Sequence, residues 1–220
     1  MADELDQDLL DAASALSRGG LVTAFGHVSA RGDGRRARIT PGLPLAAVVE
    51  PDQLRDLELS DDPHHIGVPG EAWIHWAIYR ARPDVGGICR AQPPAADVAS
   101  AIGVKVVPRH GQGALLGREL PVHDDPRLVR ERDAGVALAT TLDQASAIVM
   151  RGNGAVTVGR GIGEAVARMH VLERSAQLNV AAAASPTAMR LSPEECLAWE
   201  RVGDELLGRI WAYLRRDPAA

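Results

Sequence analysis

Two turn sequences, Gly32-Asp33-Gly34 and Gly152-Asn153-Gly154, each stand between short strand-like runs, and they constrain this chain more than any other feature. Glycine, asparagine and aspartate tolerate the backbone conformations a tight reversal needs, so each trio predicts a hairpin. The first joins Gly26-His27-Val28-Ser29-Ala30-Arg31 to Ala37-Arg38-Ile39-Thr40, and the second joins residues 147–150 to 155–158. Further strands are expected at 21–25, 85–89 and 104–107. Elsewhere the apolar period is helical. Leu5, Leu9, Leu10, Ala13 and Leu16 recur ahead of Gly19-Gly20, and helices are expected at 71–82 (closed by Pro83), 94–102, 133–142 and 163–184. Ser192-Pro193-Glu194-Glu195 reads as an N-cap with proline at N1, opening a last helix to about Arg216. Residues 41–70 carry five prolines and predict loop with a short strand or helix at most. Hairpins with helices clustered between them predict an α/β fold with a mainly antiparallel sheet. No repeat, low-complexity tract or linker divides residues 1–220, which predicts one domain.

The 220 residues suffice to bury a core without staples. A net charge of −5 argues against nucleic acid or an anionic membrane as partner, since both reward a basic surface. The clusters Arg35, Arg36, Arg38 and Arg127, Arg130, Arg132 are small or interrupted by acids and predict solvated faces. Cys89 and Cys196 stand outside any C-x-x-C spacing, as in a reducing compartment. The first twenty residues carry Asp3, Glu4, Asp6, Asp8 and Asp11 and no basic start before an apolar core. No run approaches the ~20 apolar residues of a membrane span. A soluble cytoplasmic protein is expected.

The stretch Gly70-Glu71-Ala72-Trp73-Ile74-His75-Trp76-Ala77-Ile78-Tyr79-Arg80-Ala81-Arg82-Pro83-Asp84-Val85 resembles the signature of the class II aldolase/adducin family. There a glutamate opens a helix, a strand with a His-x-His pair follows, and a later Gly-His-Gly gives a third ligand to a divalent metal. Here the strand reads Ile88-Cys89-Arg90-Ala91-Gln92-Pro93 and the later segment Gly152-Asn153-Gly154, so Arg90, Gln92 and Asn153 stand in place of three imidazoles. An arginine is not deprotonated in a protein, and the two amides are weak carbonyl donors, so this set does not rebuild a transition-metal site. Neither metal nor other cofactor is expected. The resemblance implies a three-layer α/β/α fold and a four-fold homotetramer with active sites between neighbouring subunits.

Within the family, Ala24-Phe25-Gly26-His27-Val28-Ser29-Ala30-Arg31, Pro108-Arg109-His110 and Leu116-Gly117-Arg118-Glu119-Leu120-Pro121-Val122-His123-Asp124 are similar to the branch holding decarboxylases of hydroxylated phthalates. The hydroxyl residues that help sugar-phosphate aldolases cradle phosphate are replaced by Pro69 and Gly70, which disfavours a phosphorylated substrate. Gly26, Ser29, Thr40 and Gly42 could still donate to an anion.

By resemblance Glu71 is the catalytic acid/base. Arg90 either holds a substrate carboxylate or enolate with its fork of donors, or pairs with Glu71 as a buried salt bridge in a retired site. His110, in a glycine-rich loop, is a third catalytic candidate. His27, Ser29, Gln92, Asn153 and Arg109 are candidates for substrate binding. His75 shares a helix face with Glu71 and reads first as packing. Cys89 should face away from Arg90 into the core, because adjacent strand residues point to opposite faces. Trp199, Trp211 and Tyr213 read as packing or subunit contacts, and His64-His65 as solvated loop. The leading expectation is a metal-independent lyase-type enzyme for a small carboxylated or hydroxylated molecule, with decarboxylation favoured by branch analogy alone. Isomerisation, dehydration or cyclisation could use the same base. A catalytically silent paralogue that binds a ligand or partner subunit is the rival, and a metal site rebuilt from His27, His75 and His110 the third possibility.

Overall fold

The computed structural model describes residues 2–32, 35–60, 62–63, 66–185 and 187–216. Asp33 and Gly34 of the first expected turn, and the pair His64-His65, lie outside the described residues. The strands β1 (His27–Arg31), β2 (Arg36–Ile39), β3 (Arg55–Glu58), β4 (Gly87–Ala91), β5 (Val122–His123), β6 (Ala147–Met150) and β7 (Ala155–Gly159) form one sheet in the order β3-β2-β1-β4-β7-β6-β5. Both expected hairpins are present as antiparallel pairs, β1 with β2 and β6 with β7. Every described pairing is antiparallel except that of β5 with β6.

Helices cover both faces. On one, α1 (Ala2–Arg18), α3 (Pro94–Ala101) and α5 (Ile162–Ala182) bury Leu9, Leu16, Met169 and Leu172 against Val28, Cys89, Ala91 and Val149. On the other, α2 (Ala72–Ala81) and α4 (Arg132–Leu142) bury Ile74, Ile78, Leu138 and Leu142 against Ile39, Ile88, Ile148 and Val156. Each such side chain contributes about 1.5–3 kcal/mol by leaving water. These three layers follow from the period-two alternation of the strands, which sends Ile88 to the α2 side and Cys89 to the α5 side. Cys89 is fully buried, and burial pushes its thiol up to about 12. By the same alternation Arg90 returns to the α2 face. Among the described residues no helix is long and apolar enough to cross a membrane.

Four expectations are corrected. Residues 21–25 are not a strand: Leu21 and Val22 turn into the core, and Gly26, at φ +153°, packs so closely on Val22 that a Cβ would lie 2.5 Å from its Cγ1. Residues 104–107 are not a strand either, because the Asn179 side chain takes the place of a partner strand, accepting from the Val107 N–H at 3.4 Å and donating to its carbonyl at 2.8 Å. The strand expected at 85–89 is displaced to Gly87–Ala91, because Val85 closes a turn onto the Arg82 carbonyl. The last helix is two: α6 (Pro193–Glu200), with the expected N-cap Ser192 completed as a capping box by Glu195, and α7 (Gly203–Leu214). The chain changes direction at Arg201-Val202 because α6 lays Trp199 on Gly111 while α7 lays Trp211 on Gly163 of α5.

Candidate functional site

Glu71 is the N-cap of α2, and His75 and Tyr79 follow at four-residue steps, so the three descend one helical face onto β1 and β4. His27 of β1 stands directly opposite Arg90 of β4, which joins them on that face of the sheet. Asn153 comes from the β6–β7 turn, whose flanking glycines have φ of +69° and +75°. Asp97 of α3 anchors that turn by accepting from the Gly154 N–H at 3.0 Å.

These residues close on one another. Arg90, 1% exposed, holds the Glu71 Oε2 at 3.1 Å through Nη2. The same nitrogen donates to the Asn153 Oδ1 at 2.5 Å. Asn153 Nδ2 donates to the other Glu71 oxygen at 2.9 Å, and the Val129 N–H donates to that oxygen at 3.1 Å. Arg90 Nε and Nη1 are buried with no partner among the described residues. Burial pulls the Arg90 pKa down, while Glu71 and Asp97 pull it up, and a guanidinium in such company stays charged.

A second buried array lies beside the first. His27 Nδ1 is 2.6 Å from His75 Nε2, His75 Nδ1 is 2.6 Å from Ser29 Oγ, and Ser29 Oγ is 2.9 Å from the Tyr79 hydroxyl. Burial, with the neighbouring Arg90 charge, takes His75 down to about 3 and His27 well below its ordinary value, so both rings are neutral. Arg31 sits over the Tyr79 ring and donates to its carbonyl.

The chain thus brings Glu71, Arg90, Asn153 and His27 together, with Ser29 behind His27. Gln92 follows the end of β4, its backbone against Gly154 and its N–H on the Leu21 carbonyl. His110 and Arg109 are elsewhere in the same chain: His110 Nε2 meets Ser175 of α5 at 2.9 Å and Arg109 meets Asn179, on the side of the sheet away from Arg90. Thr40 spends its hydroxyl on the backbone of Val28. Sequence reasoning gave His75 to packing and passed over Tyr79, Asp97 and the Val129 N–H. The repeat Glu71, His75, Tyr79 was the available signal for two of these, whereas Asp97 and Val129 reach the site only through tertiary folding.

The donor set does not suit a divalent metal. Asn153 Oδ1, the atom a cation would need, already accepts from a guanidinium. Among the described residues no three His, Cys, Asp or Glu side chains are grouped to hold an ion. His27 and His75 approach to 2.6 Å, closer than the roughly 3.3 Å between two nitrogens on tetrahedral zinc, and His110 is on the far face.

Residues 7–180 match the family described as the Class II Aldolase and Adducin N-terminal domain. The chain is 28% identical over 207 residues to a 3,4-dihydroxyphthalate decarboxylase of Terrabacter sp. (strain DBF63), covering 87% of each. Its fold is similar to that of L-fuculose-1-phosphate aldolase from Thermus thermophilus, with TM-score 0.76, 24% identity, and 86% of this chain and 100% of that one covered. It is also similar to an aldolase II superfamily protein from Pseudomonas syringae, with TM-score 0.79, 20% identity and coverage of 96% and 90%. At these identities the structures speak to the fold.

Proposed function

Because this chain belongs to the class II aldolase and adducin family, we propose that it is a lyase-type enzyme acting without metal on a small anionic molecule that carries a carboxylate or hydroxyl. The observation that carries the proposal is the pair of unmet donors on Arg90. A guanidinium kept only to fill a vacated metal site would be expected to have its N–H groups matched, since each buried donor left bare costs about 1–3 kcal/mol. Arg90 instead offers Nε and Nη1 to an anion while Nη2 keeps Glu71 and Asn153 in place. Glu71 moves the proton, and Asn153 and Gln92 orient the ligand. Decarboxylation is the favoured reaction on the strength of the Terrabacter relative's name.

Replacing Glu71 by Gln keeps the shape and removes the proton carrier. Turnover of hydroxylated aromatic carboxylates should be lost in Glu71→Gln with binding largely retained, and the wild-type protein should carry no stoichiometric zinc, iron or manganese. About one transition metal per chain, retained through mild chelation, would sink metal independence.

The silent-paralogue reading draws on a different observation, that both Glu71 oxygens are already engaged, one by Arg90 and the other by Asn153 and the Val129 N–H. Under it, Glu71→Gln changes stability alone, and no carboxylate tested is turned over.

His110 and Arg109, on the face away from Arg90, would serve such a site only from a neighbouring subunit, so the working form in this proposal is a homotetramer. Exposed Phe25, Trp199 and Tyr213 are apolar surface for such contacts. Light scattering should give a closed oligomer, and a stable monomer at micromolar concentration would remove His110 and Arg109 from the site.

A further inference from the structure

The array Tyr79, Ser29, His75, His27 has a property the Glu71 cluster lacks: it is a single file of hydrogen bonds. Each link needs one hydrogen, and neutral rings carry one N–H apiece, so the link between the rings runs in only two directions; when His27 donates, the Tyr79–Ser29 hydrogen comes from either hydroxyl and the other's hydrogen is left over. In the first, His27 Nδ1–H donates to His75, His75 Nδ1–H donates to Ser29, and Ser29 donates to Tyr79 or accepts from it. One hydroxyl hydrogen is then left without an acceptor among the described residues, and His27 Nε2 is a bare lone pair. In the second, Tyr79 donates to Ser29, Ser29 to His75 Nδ1, and His75 Nε2–H to His27 Nδ1. Only the His27 Nε2–H is then unmet, and that nitrogen is buried without a partner among the described residues. Tyr79 and His75 are almost wholly buried, so water does not repair the first arrangement. The second leaves one unmet group against two.

We propose that the file runs from Tyr79 to His27, so that His27 presents its Nε2–H as a donor beside the unmet Nε and Nη1 of Arg90, and that Ser29 and His75 are the positioning residues that hold this tautomer. The inference rests on the proposed role of Arg90 as anion holder. Its consequence is a recognition surface of three donor nitrogens with one positive charge and no acceptor, because directly paired strand residues such as His27 and Arg90 keep their Cβ atoms about 5 Å apart. An oxyanion such as a carboxylate satisfies all three at once. With the file reversed, His27 would turn a lone pair toward the same oxygen and oppose it.

Long-range 1H–15N spectra of the histidine side chains of the full chain test this without any substrate. The wild type should show His27 and His75 each neutral and protonated at Nε2. Protonation of His27 at Nδ1, or an imidazolium at neutral pH, overturns the proposal. Ser29→Ala breaks the file, so His27 should become a mixture of tautomers. Tyr79→Phe should keep the wild-type pattern, since the Ser29 hydrogen then has only His75 to go to; a reversed pattern in that variant also overturns it. Titration with benzoate as probe adds a second readout. Ser29→Ala should bind it more weakly in proportion to the fraction of His27 still protonated at Nε2, about twofold for an even mixture, with Tyr79→Phe close to wild type. Equal affinity in wild type and Ser29→Ala removes the file from recognition. Failure of the wild type to bind benzoate, with the expected tautomers present, would count against Arg90 as anion holder and leave the file standing.

Discussion

Replacing Arg90 by alanine is expected to lower the stability of this protein by about 3–5 kcal/mol, the cost of leaving the buried Glu71 carboxylate without its cation. The carboxylate would keep its bonds from Asn153 and Val129, and both are neutral donors. Joint replacement, Arg90→Met with Glu71→Gln, should recover most of the loss, because a buried pair exchanged for neutral groups of similar volume is often close to even in free energy. Denaturant unfolding of the three proteins decides this. A double variant no more stable than Arg90→Ala would show that the cost lies in lost packing rather than in the unpaired carboxylate. Benzoate affinity is the second measurement on Arg90→Ala, expected to fall by about 2–5 kcal/mol if the guanidinium binds the anion directly. Destabilisation with benzoate binding unchanged would assign Arg90 to structure alone.

The second large effect is expected at Gly154. Its φ is +75°, and a Cβ there would lie 2.1 Å from the Ala91 carbonyl oxygen and 3.1 Å from the Gln92 Cα. Those are backbone atoms at the end of β4 and cannot swing aside. Gly154→Ala should therefore combine the left-handed penalty of roughly 1–2 kcal/mol with an overpacking cost of about 1–3 kcal/mol. Gly152 is the control: its φ is +69°, but the nearest atom to a Cβ is Pro126 Cβ at 3.8 Å, so Gly152→Ala should show the conformational penalty alone. Thermal melts should separate the two by several degrees. Equal Tm values would mean that the β4 end is free to move, and with it the placement of Asn153.

Most of the architecture was legible because its signals are local. Glycine turns gave both hairpins, helical spacing and caps gave α1 to α5, and the alternation of β4 correctly put Cys89 and Arg90 on opposite faces. The failures share a cause. Residues 21–25 and 104–107 have strand-like side chains, yet their backbone groups are met by a turn into the core and by Asn179, partners that only the tertiary structure supplies. The break between α6 and α7 likewise depends on where Gly111 and Gly163 lie. At the site, the Glu71, Arg90 and Asn153 cluster was expected from the resemblance, and the closed ion pair between Glu71 and Arg90 was one of two alternatives. The link from His75 to His27 was missed because nothing in a sequence says that residues 48 apart will share a hydrogen bond.

The place of β4 in the sheet also sets the order in which this site can come into being. β4 lies between two hairpins, β1–β2 and β6–β7, each of which can close over a short loop at small entropic cost. It belongs to neither, and it meets both only through pairings distant in sequence, His27 with Arg90 and Val156 with Arg90. Such non-local closures are the slow events of folding. An intermediate with both hairpins formed and β4 still undocked would hold His27 and Asn153 on separate halves and Arg90 in water. The guanidinium would then enter the interior as the two halves join, so the binding surface would form together with the last of the sheet rather than before it.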